Sequence, residues 1–189
     1  MSDTQWPRFE VFVQERPGRP HLHAGSVHAP DPEMALLNAR DVFVRRPECA
    51  SLWVAPSATV RGGTAEELPQ LLAAARTEPG TSSIEYLVFA KVEERGTLTH
   101  VGEVHAAGPE TALAAAQAAA GATRPLLALW VIPAERVERT LPEEAPSMFD
   151  PSRHKPFRDQ AFYHIQTALR RLRRDPSAIG HRQSVESKR

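Results

Sequence analysis

The sequence predicts an α+β fold: two pseudo-two-fold-related strand-strand-helix-strand units packed together, followed by an extended or helical C-terminal tail. Three observations carry this reading. The stretch "HAGSVHAPDPEMAL" from His23 is repeated closely as "HVGEVHAAGPETAL" from His100. The two copies stay in step without a gap, at an offset of 77 residues, from Val11/Val88 and Phe12/Phe89 to Trp53/Trp130 and Pro56/Pro133. Within each copy, strand-like alternation gives way to helical spacing and then returns to a strand. A unit of about 55 residues is marginal for folding alone, so the copies are expected to share a core or pack face to face.

The elements follow in order. Phe9 to Glu15 alternates apolar and polar residues and predicts a strand, and Pro17-Gly18 predicts a turn. His21 to Ala29 predicts the second strand. Simple alternation puts Leu22, Ala24, Ser26 and His28 on one face and His21, His23, Gly25 and Val27 on the other. Asp31 can cap a helix whose first position suits Pro32. Leu36, Ala39 and Phe43 make its core stripe, matched in the second copy by Leu113, Ala116 and Ala120. Ser51 to Val54 predicts the third strand, closed by Pro56.

This divides the chain into a first repeat over 1–60, a connector with a short helix over 61–83, a second repeat over 84–137, and a linker and basic tail over 138–189. Six strands and two helices belong to the repeats. The connector helix has a capping-box start, Thr64 followed three residues on by Glu67. In the tail, Phe162, Ile165, Leu169 and Leu172 share one helical face, and a polar, disordered end is expected from Ser177.

Composition bounds the function. The chain has 189 residues, 41% of them hydrophobic and 24% charged, which is ordinary for a globular protein. A single cysteine, Cys49, excludes an internal disulfide and fits the cytoplasm. The first residues lack the pattern of a signal peptide, and no apolar run approaches the ~18 residues of a membrane span. Net charge is zero, yet residues 151–189 carry ten Lys/Arg against three Asp/Glu, leaving an acidic body and a basic tail. Such a tail suits nucleic acid, an acidic protein face, the chain's own acidic body or plain solubility.

The search for chemistry ends with little. His21 and His23 share a strand face, as two metal ligands would, but no third ligand is at hand. No Glu-x-x-His pair offers a carboxylate-bridged iron site. No phosphate loop or nucleophile elbow is present. Cys49 suits a small buried apolar position better than a nucleophile. The residues alone define a duplicated α+β interaction protein. The alternative is a small-molecule-binding or enzymatic domain with a ligand between the repeats.

"WPRFEVFV", "HLHAGSVHAPDPEMALLNARD" and "SLWVAPS" closely resemble the PaaB family, the small subunit of the multicomponent phenylacetyl-CoA epoxidase. The segment "FDPSRHKPFRDQAFYHI" is similar to that family's C-terminal segment, at Phe149, Asp150, Pro151, Lys155, Phe157, Arg158, Phe162 and Tyr163. The usual member has one copy, whereas here a second lies between the first and the tail. That second copy keeps core positions and loses polar ones: Asn38, Arg40 and Asp41 become Ala115, Gln117 and Ala118, and Arg45-Arg46 becomes Ala122-Thr123.

The resemblance implies a non-catalytic subunit, without catalytic, cofactor or metal residues of its own, that bridges catalytic units. The di-iron centre is expected in the catalytic partner subunit, which has a paralogous supporting subunit. Neither nucleic acid nor membrane is an expected partner. Arg40, Arg45 and the matching tail residues are the expected partner contacts. The duplication is expected to stand in for a homodimer, leaving the isolated chain a monomeric pseudo-dimer. Val11, Phe12 and Trp53 would then be buried against Val88, Phe89 and Trp130.

Overall fold

The computed structural model describes residues 6–44, 49–73, 83–121, 125–153 and 170. Residues 1–154 form one body, and 155–189 a separate unit of which Arg170 is described. Among the described residues the body is α+β, with eight antiparallel strands in one sheet and four helices. The first unit comprises β1 (Arg8–Gln14), β2 (Leu22–His28), α1 (Pro32–Phe43) and β3 (Ser51–Pro56). The second repeats it as β5 (Ile84–Lys91), β6 (Thr99–Ala106), α3 (Pro109–Gly121) and β7 (Ala128–Pro133). Asp31 caps α1, its Oδ1 accepting from the Met34 N–H at 2.8 Å.

Two strands and two helices lie outside these predicted units. β4 (Arg61–Thr64) and α2 (Leu68–Ala73) follow the first unit, while β8 (Glu138–Arg139) and α4 (Ala145–Arg153) follow the second. The offset of 77 relates each pair, Arg61 to Glu138 and Leu68 to Ala145. The strand order is β4-β7-β5-β6-β2-β1-β3-β8, so each of these edge strands joins the opposite unit. β4 pairs with β7 from Arg61/Val131 to Thr64/Ala128, and β8 pairs with β3 at Trp53/Arg139 and Val54/Glu138. The Thr140 hydroxyl, just past β8, secures the join by donating to the Leu52 carbonyl at 3.0 Å and accepting from the Leu52 N–H at 3.2 Å.

The exchange extends to the cores. Phe149 of α4 is buried with Val11, Leu36 and Val54 beneath α1, and Leu68 of α2 is buried with Val88, Leu113 and Val131 beneath α3. Residues that follow one repeat therefore complete the hydrophobic core of the other. Glu67 marks the start of α2, its carboxylate accepting from the Thr64 N–H at 2.8 Å.

The third core lies between the repeats. Phe12 and Phe89, equivalent positions, stack with ring centroids 4.1 Å apart. Ala55, Leu87, Leu98, Ile132 and Val137 are buried around them. The sheet halves join where Leu22 pairs with its own equivalent, Thr99. The flanking bonds match across that pair: the His23 N–H donates to the Leu98 carbonyl at 2.8 Å and the His100 N–H to the His21 carbonyl at 2.9 Å. A pseudo-two-fold axis runs through these two contacts.

Two expectations about faces need correction. Val11 and Val88 pack toward the helices instead of between the repeats, because neighbours along a strand point to opposite sides. Phe12 and Phe89 take the inner face, with Trp53 and Trp130 partly buried against them. In β2 the simple alternation fails as well. A bulge between Val11 and Phe12, opposite Gly25 and His23, leaves Ala24 unpaired. An identical bulge falls between Val88 and Phe89. Past it the strand reverses its facing. His23 meets the inner rings, whereas Gly25 lies under Phe43 and Val27 joins the helix-side core. The bulge needs φ of +142° at Gly25 and +148° at Gly102, a conformation glycine adopts without strain.

Candidate functional site

The polar chemistry of the body concentrates along the inter-repeat face. Glu10, only 3% exposed, is the most enclosed carboxylate among the described residues. Its Oε2 is 2.8 Å from His23 Nε2, and its Oε1 accepts from the Ser57 hydroxyl at 2.8 Å and pairs with Arg8 at 3.0 Å. Burial pushes this carboxyl upward. The hydrogen bonds from His23 and Ser57 and the Arg8 charge outweigh that and hold it below its usual range. Glu10 is therefore an ionised and fully partnered group.

The second copy lacks this network. Leu87 stands where Glu10 does, and Ala134 where Ser57 does. His100, the equivalent of His23, keeps the aromatic contacts but not the carboxylate. His23 meets Trp130 edge-on at 5.0 Å, and His100 meets Trp53 edge-on at 5.3 Å. His21 stacks on Trp53 at 3.5 Å, and Arg139 from the exchanged strand lies 4.7 Å over the same indole. The Nε2 atoms of His21 and His100 are buried without a hydrogen-bond partner among the described residues. Burial, then the neighbouring positive charges of His100 and Arg139, push His21 down to about 3. Burial likewise lowers His100.

His21 and His23 thus share a face, as the spacing predicts. Among the described residues no three His, Cys, Asp or Glu side chains come together as metal ligands. His28 takes a structural role, its Nδ1 lying 2.8 Å from the Trp6 carbonyl. Cys49 is buried, and burial pushes its thiol up to about 11, so it is protonated near neutral pH.

The residues expected to meet a partner fall in three places. Arg40 lies on α1, half-exposed, with its guanidinium on Asp41 at 2.9 Å. It lines a cleft of about 690 Å³ between α1, β8 and α4, with Glu33, Leu37, Arg139 and Met148. Phe149, expected at a partner surface, is instead 2% exposed in the first unit's core, where it packs and leaves no surface for docking. Asp150 is half-buried in α4, and Pro151 lies in that helix's last turn. Arg45, Lys155, Phe157, Arg158, Phe162 and Tyr163 lie outside the described residues.

Sequence reasoning missed Arg139 and Met148 as cleft residues. The signal was available, because the ungapped offset continues past Pro56/Pro133 through Val60/Val137 and Glu67/Glu144 to Pro69/Pro146.

Together these features define a fused α+β pseudo-dimer, in which two copies of one unit on one chain complete each other. Such a chain presents two related but chemically different halves. It belongs to the PaaB family: the profile described as phenylacetic acid degradation B matches residues 5–79 and again 83–170. Each match takes in one repeat and the edge strand and helix that follow it. The chain is 46% identical over 67 residues to the B component of the 1,2-phenylacetyl-CoA epoxidase of Escherichia coli (strain K12). That stretch covers 35% of this chain and 70% of the relative, which is therefore half as long. No solved structure matches the chain significantly.

Proposed function

We propose that this chain is the non-catalytic, bridging subunit of a multicomponent di-iron phenylacetyl-CoA epoxidase in aerobic phenylacetate catabolism, acting in the cytoplasm. Its partners would be the catalytic di-iron subunit and its paralogous supporting subunit. Family membership and the name of the half-length relative support the pathway. The bridging role rests on the pseudo-two-fold axis through Phe12/Phe89 and Leu22/Thr99. A single-copy protein would need to pair with itself to make a two-fold surface. Here the second half is covalently supplied, at an effective concentration on the order of millimolar or above. The isolated chain is accordingly a monomer, and light scattering during gel filtration measures this directly.

Co-expression with the two partner subunits, followed by affinity capture, tests the assignment. All three should be recovered together, and a chain that captures neither partner would refute it. Two variants divide the surface. A chain ending at residue 154 should keep its melting temperature and lose capture, because Phe149 remains in place while the aromatic and basic tail is gone. Arg40→Ala should weaken capture while changing stability by no more than about 0.5 kcal/mol, since its ion pair with Asp41 is exposed. Gln117→Ala, at the equivalent site in the second copy, should leave capture intact.

A further inference from the structure

The two repeats differ most beneath their long helices. In the first unit the Phe43 ring lies over Gly25, so close that a Cβ there would meet it at 3.0 Å. In the second unit position 43 becomes Ala120, and nothing lies within 4 Å of where a Cβ on Gly102 would be. The space is a cleft of about 390 Å³ between α3 and the sheet. Loss of one ring does not account for it. Ala90 replaces the buried Val13 at the base, which widens it, and Ala119 lines it where the first unit has the exposed Val42.

The walls have also changed character. Val92 stands where the first unit has Glu15, and Leu126 where it has Cys49. Residues lost to drift would let polar groups in, but here the lining has become more apolar as the volume opened. Its size falls within the range of small-molecule sites. The cleft opens to solvent beside the exposed Val101, and its apolar walls favour an apolar guest that covers them over water. The first unit shows which shape fits, since the same space there holds a benzyl side chain. Apart from Glu103, which pairs with Leu87 of the inner face, every lining residue is apolar, so a carboxylate seated there would lose its hydration without gaining a partner.

We infer that the second unit carries a binding site for a neutral, single-ring aromatic compound, seated between α3 and the sheet where Phe43 sits in the first unit. With about seven non-hydrogen atoms, such a guest should bind with a dissociation constant on the order of a millimolar or below. The test titrates the full, methyl-labelled chain with toluene and follows the methyl resonances. Shifts are expected at Val88, Val104 and Leu126, with their first-unit counterparts Val11 and Val27 unmoved. Ala120→Phe, which restores the first unit's ring, should weaken binding at least tenfold. Ala90→Val, a milder narrowing that leaves the helix untouched, should weaken it several-fold. Phenylacetate should bind more weakly than toluene. The inference is overturned by absent shifts, by equal shifts in both units, by unchanged toluene affinity in both variants, or by phenylacetate binding as tightly as toluene.

Discussion

Replacing Phe149 with alanine is expected to destabilise the whole body by about 3–5 kcal/mol, the range for truncating a buried phenylalanine. Its ring is 2% exposed among Val11, Leu36 and Val54, far from the repeat it follows in sequence. For a body of this size the loss lowers the melting temperature by about 6–20 °C. The unfolding should remain a single transition, because each unit holds part of the other's core. Leu72→Ala, at the equivalent but only partly buried position in α2, should cost less, about 1–3 kcal/mol. Thermal melts followed by circular dichroism measure both. If Phe149→Ala melts like the unaltered chain, α4 does not belong to the core.

Acid should weaken the contact between the repeats well before it unfolds ordinary surface structure. His21 is neutral in the folded body down to about pH 3, whereas in the unfolded chain it takes a proton near 6.5. Between these values the unfolded state binds more protons, so stability falls as pH falls. At pH 4.5 the difference is about two pH units, or about 3 kcal/mol. His100 is shifted the same way by burial, which outweighs the opposing charge of Glu103, and Trp53 and Arg139 also face this pair. Glu10 adds to the loss at lower pH, since its carboxyl is held below the usual value and its stabilisation disappears as it protonates. Urea melts at pH 7 and 4.5 give the slope. His21→Leu, which installs the residue that the second copy has at Leu98, should flatten it. An unchanged slope in that variant would show that His21 is not the responsible group.

The six strands of the repeats, the long helices and the cap at Asp31 were legible because they rest on local rules, whereas Gly62-Gly63 read as a loop and lies in the edge strand β4. Asp31-Pro32 starts a helix wherever it lies, and the alternation of β1 needs no partner to be recognised. Three features depend on neighbours distant in sequence and were not legible. The bulge that reverses β2 is fixed by pairing across the hairpin, and it undoes the simple face assignment of Gly25 and Val27. The polar character of Glu138-Arg139 hid an edge strand, whose place is set by Trp53 and Val54 of the other repeat. Phe149 looked like a docking anchor because an aromatic near basic residues suits an interface as well as a core. Only its surroundings distinguish the two. The single-residue difference between Phe43 and Ala120 was visible, but the cleft it opens also depends on Ala90 at its base, a strand position that only the packing of α3 places opposite Ala120.

The reciprocal exchange of edge strands also constrains how the protein can be made. Trp53 leaves the ribosome long before Arg139, the residue it pairs with across the edge of the first unit. At ~5–20 residues per second the interval is on the order of ten seconds. For that time the first repeat exists without its outer strand and without Phe149, with β3 as an open edge. The second repeat meets no such delay, since β4 and α2 are already synthesised when its own strands emerge. Folding therefore cannot finish in chain order: the half translated first is the half completed last. A ribosome stalled before residue 138 should display a nascent chain whose first repeat remains open to proteases, and release past residue 150 should close it.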